Sequence, residues 1–380
     1  MLLLIVVGCT PACPEPACAP APTVQPFSGG EALPTDAAAP VAAALHAQGS
    51  VFRVTAIDTG QGDCALVECP NGTNVLIDCG SSRHASASPA HVREVLAARI
   101  GDAAIDVLVL THPDRDHYNW IPEVLEGRDV ERLLHAATLD AYDEEDTDDW
   151  LEAHVGPNER HAFGVAHHDA PDAPTDLIDC GEVDVHVLAA NVPPEGAHAS
   201  SDSWRSNSAS IVLRFGRRGA PRAMAILTGD ATWYTERSIR DAYTNAPGFV
   251  RADLLRLGHH GTGVTSSKLA WLSAVAPRVA FSSAGHYDGN LRHPRCDVVD
   301  RALDHAPLSA VACHTLECGI PPGDAGAAID TSACRMSDDG HWCAFETEYG
   351  LFDTFASGDL TFTFVDGWLE APGTTRGACP

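Results

Sequence analysis

A cluster of potential metal ligands follows directly on a fully apolar run in this 380-residue chain. Ile105–Leu110 has the continuous apolar pattern of a strand that is buried on both faces of its sheet, and the next residues are Thr-His-Pro-Asp-Arg-Asp-His. Such closely spaced ligands serve no packing requirement, and their carboxylates repel one another unless cations offset the charge. On a loop that folds back over the strand end, the spacing can offer the first His and Asp to one divalent metal and the last Asp and His to a second. The four candidate ligands are His112, Asp114, Asp116 and His117.

The charge balance excludes a protein that binds nucleic acids or membranes through a broad basic surface. The chain has 24 basic and 52 acidic residues and a net charge of −28, whereas nonspecific binding of that kind needs a basic patch. Any action on nucleic acid must therefore be confined to a local site. The longest aliphatic run, Leu2–Val7, is far shorter than the ~20 residues of a membrane-spanning helix, so we expect no transmembrane channel.

Cysteine usage predicts export from the cytoplasm. Thirteen cysteines, with no pair at the CxxC spacing of a zinc site, are many for a reducing cytosol. Leu2–Val7 is similar to the apolar part of a short signal peptide, and Val6-Val7-Gly8-Cys9 resembles a bacterial lipobox, which predicts a lipid on Cys9. No Lys or Arg precedes the apolar run, so a misplaced start or an accidental resemblance is the alternative. The expected location is the bacterial cell envelope, through a lipid anchor, or the space outside the cell.

Composition divides the chain into segments. Residues 1–9 form the lipobox-like segment, 10–48 a Pro- and Ala-rich tether, 49–370 the folded domain and 371–380 a tail. Residues from about 313 to 356 are predicted to be a Cys-rich surface insertion tied by disulfides. Asp140–Glu152, which contains eight acidic residues and no basic one, is predicted to be a solvated acidic face, with a calcium loop as the alternative.

Alternating apolar residues predict a β-hairpin closed by a disulfide. Strands are expected at Cys64–Cys69 and Asn74–Cys79, and the Asn71-Gly72 pair between them is a strong hairpin signal. A two-residue turn at that pair would place Cys64 directly opposite Cys79, on the same side, at a separation that a disulfide can span. We therefore predict a Cys64–Cys79 disulfide, with two buried free thiols as the alternative.

The remaining elements alternate between strands and short helices. Apolar residues at helical spacing predict a helix over His91–Ile100 that ends at Gly101. The other predicted strands are Val51–Ile57, Val183–Leu188, Ser210–Phe215, Ala223–Leu227, Leu254–Leu257, Val279–Ser282 and Asp359–Val365.

The ligand-rich segment resembles the HxHxDH signature of the metallo-β-lactamase superfamily, and more narrowly the C-terminal hydrolase domain of the ComEC competence proteins. Other segments agree in order and spacing. Residues 58–63 are similar to that group's DVGQGD, 75–78 to its LIDGG, and Thr228-Gly229-Asp230 to the GD that supplies a metal-bridging aspartate. Leu257-Gly258-His259-His260-Gly261 resembles its HHGS, and His293-Pro294 its late HP motif. The resemblance therefore spans residues 58–294.

The resemblance implies a fold and a set of site residues. The fold is the α/β αββα sandwich, in which two mixed β-sheets pack face to face with helices outside and the metals lie at one sheet edge. The implied metal ligands are His112, Asp114, Asp116, His117, Asp230, His259 and His260. Asp58, Asp63, Asp78 and Asn207 are expected to orient these ligands, although one of the aspartates could be purely structural. Asp116, His260 and His293 have the implied catalytic roles; His293 could protonate a leaving group, bind a substrate anion or serve packing.

The sequence also departs from the family pattern. Asp114 stands where the wider superfamily usually has histidine, and residues 206–210, Ser-Asn-Ser-Ala-Ser, occupy the place of its middle histidine. Cys79 replaces the first glycine of LIDGG. The metal position that includes His112 is therefore expected to be weaker or richer in water. A donor set of carboxylates and imidazoles suits two divalent ions, Zn or Mn, and does not exclude Mg.

The implied function is metal-dependent hydrolysis of phosphodiesters, in which two divalent cations activate a water. Nuclease action on extracellular DNA is the leading subtype, although the excess of acidic residues counts against long polyanions. The expected partner is a phosphodiester substrate, with membrane contact only through an N-terminal lipid and no obligate protein partner. Two alternatives remain: a hydrolase of esters or amides, and an exported lipoprotein whose hydrolase fold is a non-catalytic binding module.

Overall fold

The computed structural model describes residues 50–82, 87–285, 292–320, 334–337 and 340–370, all within the compact unit of residues 46–380. The lipobox-like segment 1–9 with Cys9, the tether 10–48 and the tail 371–380 lie outside the described residues. In the part of the chain that is described, no helix combines the length and apolar character needed to cross a bilayer.

The described elements alternate between strands and short helices. In chain order the strands are β1 Val51–Ala56, β2 Ala65–Glu68, β3 Asn74–Ile77, β4 Val107–Leu110, β5 Leu133–His135, β6 Arg160–Ala162, β7 Val183–Ala189, β8 Val212–Arg217, β9 Ala223–Leu227, β10 Ala252–Arg256, β11 Val279–Ser282, β12 Ala310–Ile320, β13 Cys334–Ser337, β14 Gly340–Tyr349, β15 Leu351–Asp353, β16 Leu360–Val365 and β17 Trp368–Glu370. The helices are α1 Pro89–Ile100, α2 Ile121–Val124, α3 Thr147–His154, α4 Asp202–Ser208, α5 Trp233–Ala242, α6 Leu269–Val275, α7 Cys296–His305 and α8 Thr354–Ser357.

Two large sheets pack face to face. The strand order is β17-β16-β1-β2-β3-β4-β5-β6 in the first and β15-β11-β10-β9-β8-β7 in the second, and both sheets mix parallel and antiparallel pairs. Between the sheets lies one shared apolar core, to which Val54 of the first sheet and Phe281 of the second both contribute.

Helices cover the outer face of each sheet. α1 and α2 pack on the first sheet through residues such as Leu96 and Ile121, and α5 and α7 pack on the second through Ile239 and Val299. The result is four layers in the order helix, sheet, sheet, helix. This is the αββα sandwich that the sequence resemblance implied.

The apolar run before the ligand cluster forms β4, and its side chains alternate between two cores. Val107 and Val109 belong to the core between the sheets, whereas Leu108 and Leu110 belong to the core beneath the helices. The predicted burial on both faces is therefore confirmed. Because β4 is clamped between the parallel strands β3 and β5, the loop after it starts from a fixed position.

The predicted hairpin forms, but its register differs by one residue from the prediction. Leu66 pairs with Leu76, and the loop has three residues, 70–72, because Gly72 takes a left-handed backbone (φ 93°) and donates to Cys69 O. This register alone would place Asp78 opposite Cys64. Asp78 is itself left-handed (φ 56°), which turns the chain so that the next residue, Cys79, lies beside Cys64. The two cysteines form the predicted disulfide, with Cα atoms 4.2 Å apart.

Two further disulfides connect separate parts of the fold. Cys69 at the end of β2 is bonded to Cys180, which precedes β7, so this bridge joins the two large sheets. Cys296 of α7 is bonded to Cys318 of β12. These bridges span 111 and 22 residues of sequence.

The Cys-rich segment contains a separate three-stranded sheet, ordered β12-β14-β13. Its antiparallel strands extend from Ala310 to Tyr349. The predicted end of the insertion, near residue 356, lies too far along the chain, since Leu351–Asp353 pairs with β11 in the second large sheet. In the acidic segment, Asp143–Asp146 is exposed, as expected of a solvated acidic face.

Candidate metal centre

The predicted ligands meet at one edge of the molecule, where parallel strands end. His112 follows β4 and Asp78 follows β3, its parallel neighbour. In the second sheet, Asp230 follows β9 and His259 follows the parallel strand β10. A backbone hydrogen bond between Ile211 N and Thr111 O (3.0 Å) joins the two sheets at this edge. Residues far apart in sequence thus converge, as is usual at the carboxyl ends of strands in open α/β sheets.

One set of converging side chains, here called the Asp116 group, comprises Asp116, His117, His260 and Asp230. His117 Nε2 lies 3.1 Å from Asp230 Oδ1 and 3.4 Å from His260 Nε2. His260 Nε2 lies 3.3 Å from Asp116 Oδ2 and 3.4 Å from Asp230 Oδ2. Two ligand atoms that each lie ~2.1 Å from one ion are about 3.4 Å apart at a tetrahedral angle. The Asp116 group therefore has the spacing of a metal site.

A second set, the His112 group, comprises His112, Asp114, His259 and again Asp230. His112 Nε2 lies 3.6 Å from Asp114 Oδ2 and 3.9 Å from Asp230 Oδ2, and His259 Nε2 lies 3.7 Å from the same Asp230 oxygen. These separations exceed those of the Asp116 group by a few tenths of an ångström. Buried His112 Nε2 has no hydrogen-bond partner among the described residues, and a cation held by this group would satisfy it.

Hydrogen bonds behind the histidines direct their Nε2 atoms into the centre. Asp78 accepts from Thr111 N, Thr111 Oγ1 and His117 Nδ1, each at 2.7 Å. Because Thr111 Oγ1 donates its hydrogen to Asp78, it accepts from His112 Nδ1 at 3.0 Å. This leaves a free lone pair on His112 Nε2. His260 Nδ1 likewise donates to Ser283 O at 2.7 Å. Such partners fix the tautomer and the ring orientation of a metal ligand.

Charge in the centre is strongly coupled. Burial alone would lower the pKa of His117, but Asp230 and Asp78 raise it well above its ordinary value. Burial would raise the pKa of Asp230, but His260, His117 and His259 lower it well below its ordinary range. Burial would also raise the pKa of Asp116, but the hydrogen bond and the charge of His260 lower it to about 2. The carboxylates therefore need positive charge beside them, which protons on the imidazoles or bound cations can provide.

A buried ion pair supports the centre from below. Arg256, at the end of β10, is 1% exposed, and its Nη2 lies 2.6 Å from Asp63 Oδ2 and 3.8 Å from Asp230 Oδ1. Arg256 also donates to Gly229 O, and Asp63 N donates to Asp116 O. The pair thus contacts both strand ends that carry ligands. Arg256 was not among the predicted site residues; the available signal was an arginine between the leucines of the predicted strand Leu254–Leu257.

The other predicted site residues differ in their contacts. Asp78 accepts from His117 Nδ1, and Asp63 N donates to Asp116 O. Asp58 accepts from Gly60 N at 2.9 Å, and the described residues show no contact between it and a candidate ligand, so it is a turn residue. Asn207 Nδ2 lies 3.4 Å from His259 Nε2. Its neighbour Ser206 donates to Asp114 Oδ1 at 2.5 Å, a contact that the sequence analysis did not predict.

His293 lies at the rim of the centre. It is 4% exposed, and its ring centroid is 6.1 Å from that of His259 and 6.3 Å from that of His260. Burial and the two neighbouring histidines lower its pKa well below the ordinary value. A neutral imidazole favours a hydrogen bond to a substrate anion over protonation of a leaving group, the other role considered from the sequence.

Two sequence comparisons match parts of this chain to known proteins. Residues 57–201 match the family model of the metallo-beta-lactamase superfamily. ComE operon protein 3 of Bacillus subtilis (strain 168) is 27% identical over 267 residues, which cover 67% of this chain and 31% of that protein. The chain thus matches only about a third of the relative's length.

Solved structures also resemble this fold at low identity. An isothiocyanate hydrolase from Delia radicum gut bacteria is 13% identical, with a TM-score of 0.41 over 78% of this chain and 100% of that one. CmlA, a diiron β-hydroxylase from Streptomyces venezuelae, is 15% identical, with a TM-score of 0.37 over 62% of this chain and 48% of that one. Likeness at this level carries no argument about activity.

Proposed function

We propose that this chain, which carries a domain of the metallo-β-lactamase superfamily, is a metal-dependent phosphodiesterase with two divalent ions at the described edge. The observation that carries the proposal is the position of Asp230 between the two groups: its Oδ1 lies 3.1 Å from His117 Nε2, and its Oδ2 lies 3.4 Å from His260 Nε2 and 3.7 Å from His259 Nε2. When bound, a pair of such ions supplies Lewis acidity and an acidic water at neutral pH.

The residues of this chain have separate roles in the proposal. His117 and His260 present Nε2 lone pairs, while Asp78 and Ser283 O hold the opposite ring nitrogens. Ser206 orients Asp114 by donating to its Oδ1. His293, held neutral at the rim, donates a hydrogen bond to an anionic substrate oxygen. Burial of the His117 and His260 side chains limits the access of bulk water behind the reacting groups.

The choice of phosphodiesters over acyl substrates is supported by the donor set and by the relative. Asp114, Asp116 and Asp230 make the ligands rich in oxygen, which suits Mn or Zn and accommodates Mg, the ions common at phosphoryl-transfer sites. The 27% identity to ComE operon protein 3 agrees with the ComEC-like resemblance of the sequence, which implies hydrolysis of phosphodiesters. The excess of 52 acidic over 24 basic residues disfavours long duplexes, so DNA is proposed as a substrate only in short or single-stranded form.

A substrate panel tests the proposal. The metal-stripped chain is reloaded with Mn, Zn or Mg and assayed for turnover of bis(p-nitrophenyl) phosphate, a single-stranded oligonucleotide, plasmid DNA and p-nitrophenyl acetate. We expect hydrolysis of the phosphodiesters that a chelator abolishes. Turnover of the acetate alone would instead identify an acyl hydrolase, and two bound ions without any turnover would identify a binding module.

We assign the two adjacent histidines to different ions. His260 Nε2 lies 3.3 Å from Asp116 Oδ2, whereas His259 Nε2 lies 3.7 Å from Asp230 Oδ2, and both residues have left-handed backbones, with φ of 50° and 54°. A non-glycine residue in the left-handed region costs on the order of 1–2 kcal/mol. The two strained backbones turn the adjacent side chains of His259 and His260 in different directions, which lets each of them bind a different ion. In this assignment His259 takes the place of the superfamily's middle histidine.

Metal stoichiometry tests the assignment. His259→Ala is expected to retain about one tightly bound ion per chain where the unaltered protein retains two, because only the His112 group loses a ligand. Inductively coupled plasma mass spectrometry after gel filtration measures the ratio. His305→Ala, an exposed histidine in α7, is the control. Retention of both ions by His259→Ala would contradict the assignment.

We also propose that the protein works outside the cytoplasm. Three disulfides in the described residues, each with buried cysteines, support an oxidising compartment. Lipidation of Cys9 remains a prediction, which mass spectrometry of the membrane-extracted protein tests.

A further inference from the structure

Four aromatic side chains form a partly exposed cluster near the metal centre, here called the ring platform: His198, Trp204, Trp233 and the buried Tyr234. His198 stacks on Trp204 with centroids 3.8 Å apart and planes at 10°. Trp233 stacks on Tyr234 at 3.8 Å and 25°. The two stacks meet edge to face, with Trp204 5.9 Å from Tyr234. The platform therefore presents several planar rings close together.

The platform is held rigidly by polar contacts. Tyr234 Oη donates its single hydrogen to Glu195 O at 2.7 Å, so it accepts from His198 Nδ1 at 3.1 Å. This contact fixes the tautomer of His198 and the plane of its ring. The guanidinium of Arg237 lies 5.5 Å from the ring centroids of both Trp233 and Tyr234 and is paired with Glu195 at 2.8 Å. The rings are thus oriented before any ligand arrives.

The same elements carry the platform and the candidate ligands. Trp204 lies on α4 three residues before Asn207, which contacts His259. Residues at this spacing share a helix face. Trp233 lies three residues after Asp230, and its backbone N donates to Thr265 O at 2.7 Å. The Thr265 side chain in turn contacts His259 Nδ1 at 2.7 Å. The platform therefore borders the His112 group.

Part of the platform is open to solvent. His198, Trp204 and Trp233 are all partly exposed, and Val264, next to the Thr265 that bonds Trp233, is 58% exposed. Both tryptophans also pack against the core beneath α5 and α6, but packing alone does not require a histidine stacked flat on Trp204 at the surface. In a chain with a net charge of −28, exposed rings can contribute base stacking, an attraction that does not depend on positive charge.

We propose that the ring platform stacks the base of a nucleotide whose phosphodiester lies at the metal centre. The inference rests on the proposed function and narrows its substrates to short, single-stranded nucleic acid, whose unpaired bases can stack on side chains. A duplex keeps its bases stacked on each other and brings more phosphates toward an acidic surface. Base identity has little influence on stacking, so broad sequence tolerance is expected.

Ligand binding to the metal-loaded full chain tests the platform. The probes are adenosine 5′-monophosphate and ribose 5-phosphate, which share a phosphate and a ribose, whereas only the first carries a base. Trp204→Leu keeps an apolar side chain against the core without a ring, and Trp204→Phe keeps a ring. We expect Trp204→Leu to weaken nucleotide binding by about 5- to 150-fold, since stacking of one base contributes ~1–3 kcal/mol, and to leave ribose 5-phosphate binding unchanged. Trp204→Phe should retain most of the affinity.

The outcomes separate this inference from the proposed function. Trp368→Ala, which removes a 74% exposed tryptophan on β17, is the matched control and should change neither affinity. The platform is overturned if the nucleotide binds no tighter than ribose 5-phosphate, or if Trp204→Leu weakens both equally. The proposed function fails on a different reading, the absence of metal-dependent turnover of bis(p-nitrophenyl) phosphate by the unaltered protein.

Discussion

Asp230→Asn is expected to lower phosphodiester turnover by at least about 1,000-fold, because metal ions can contribute several kcal/mol to the reaction and each 1.4 kcal/mol is a factor of about ten. Among the described residues, Asp230 is the carboxylate that faces both ligand groups. Its Oδ1 lies 3.1 Å from His117 Nε2, and its Oδ2 lies 3.4 Å from His260 Nε2 and 3.9 Å from His112 Nε2. Asparagine keeps the volume and one oxygen but removes the negative charge that both ions share. Turnover of bis(p-nitrophenyl) phosphate and metal content are measured on the same sample.

The matched control is an aspartate on a strand of the same sheet. Asp184 on β7 pairs with exposed Arg218 at 3.1 Å, and Asp184→Asn should leave both turnover and metal content near those of the unaltered protein. If Asp230→Asn kept turnover within tenfold and bound two ions, the shared role of Asp230 would be wrong. Loss of activity together with loss of thermal stability in both variants would point instead to folding.

Local patterns in the sequence predicted the elements that depend on neighbouring residues. The alternation in β16 and the apolar run of β4 both lie where predicted, because a strand's side-chain direction follows directly from residue spacing. The predicted hairpin register was wrong for a local reason. Gly72 supports a three-residue loop, which shifts the pairing by one residue, and the left-handed backbone at Asp78 brings Cys79 back beside Cys64. The disulfide was thus predicted correctly from an incorrect register.

The residues of the metal centre differ in how far apart they lie in the sequence. His112 to His117 lie on one loop, so their spacing alone predicted a metal site. Asp230 and the His259–His260 pair come from the other sheet and could be placed only through resemblance to a known family. Arg256 had no motif to mark it, since the apolar pattern of β10 does not show that its last side chain faces Asp63 and Asp230.

Arg256→Met is expected to reduce the free energy of unfolding by about 3–5 kcal/mol, the usual cost of removing one partner from a buried ion pair. Asp63 is 1% exposed, and Arg256 Nη2 is 2.6 Å from its Oδ2, so the variant leaves a carboxylate buried without its cation. Methionine fills a similar volume, which limits the contribution of a cavity. Urea unfolding of the metal-stripped protein measures the change without a contribution from metal binding.

A double-mutant cycle distinguishes a lost ion pair from lost packing. Asp63→Asn combined with Arg256→Met removes both charges, so the double variant should be destabilised by less than the sum of the two single variants. Arg218→Met breaks the exposed ion pair with Asp184 and is expected to lower the free energy of unfolding by no more than about 1 kcal/mol. If Arg256→Met cost as little as this control, or if the two changes at positions 63 and 256 were additive, the pair would not stabilise the fold as inferred. Asp63 N also donates to Asp116 O. If Arg256 holds Asp63 in place for this contact, Arg256→Met should in addition weaken metal binding by about 10- to 100-fold.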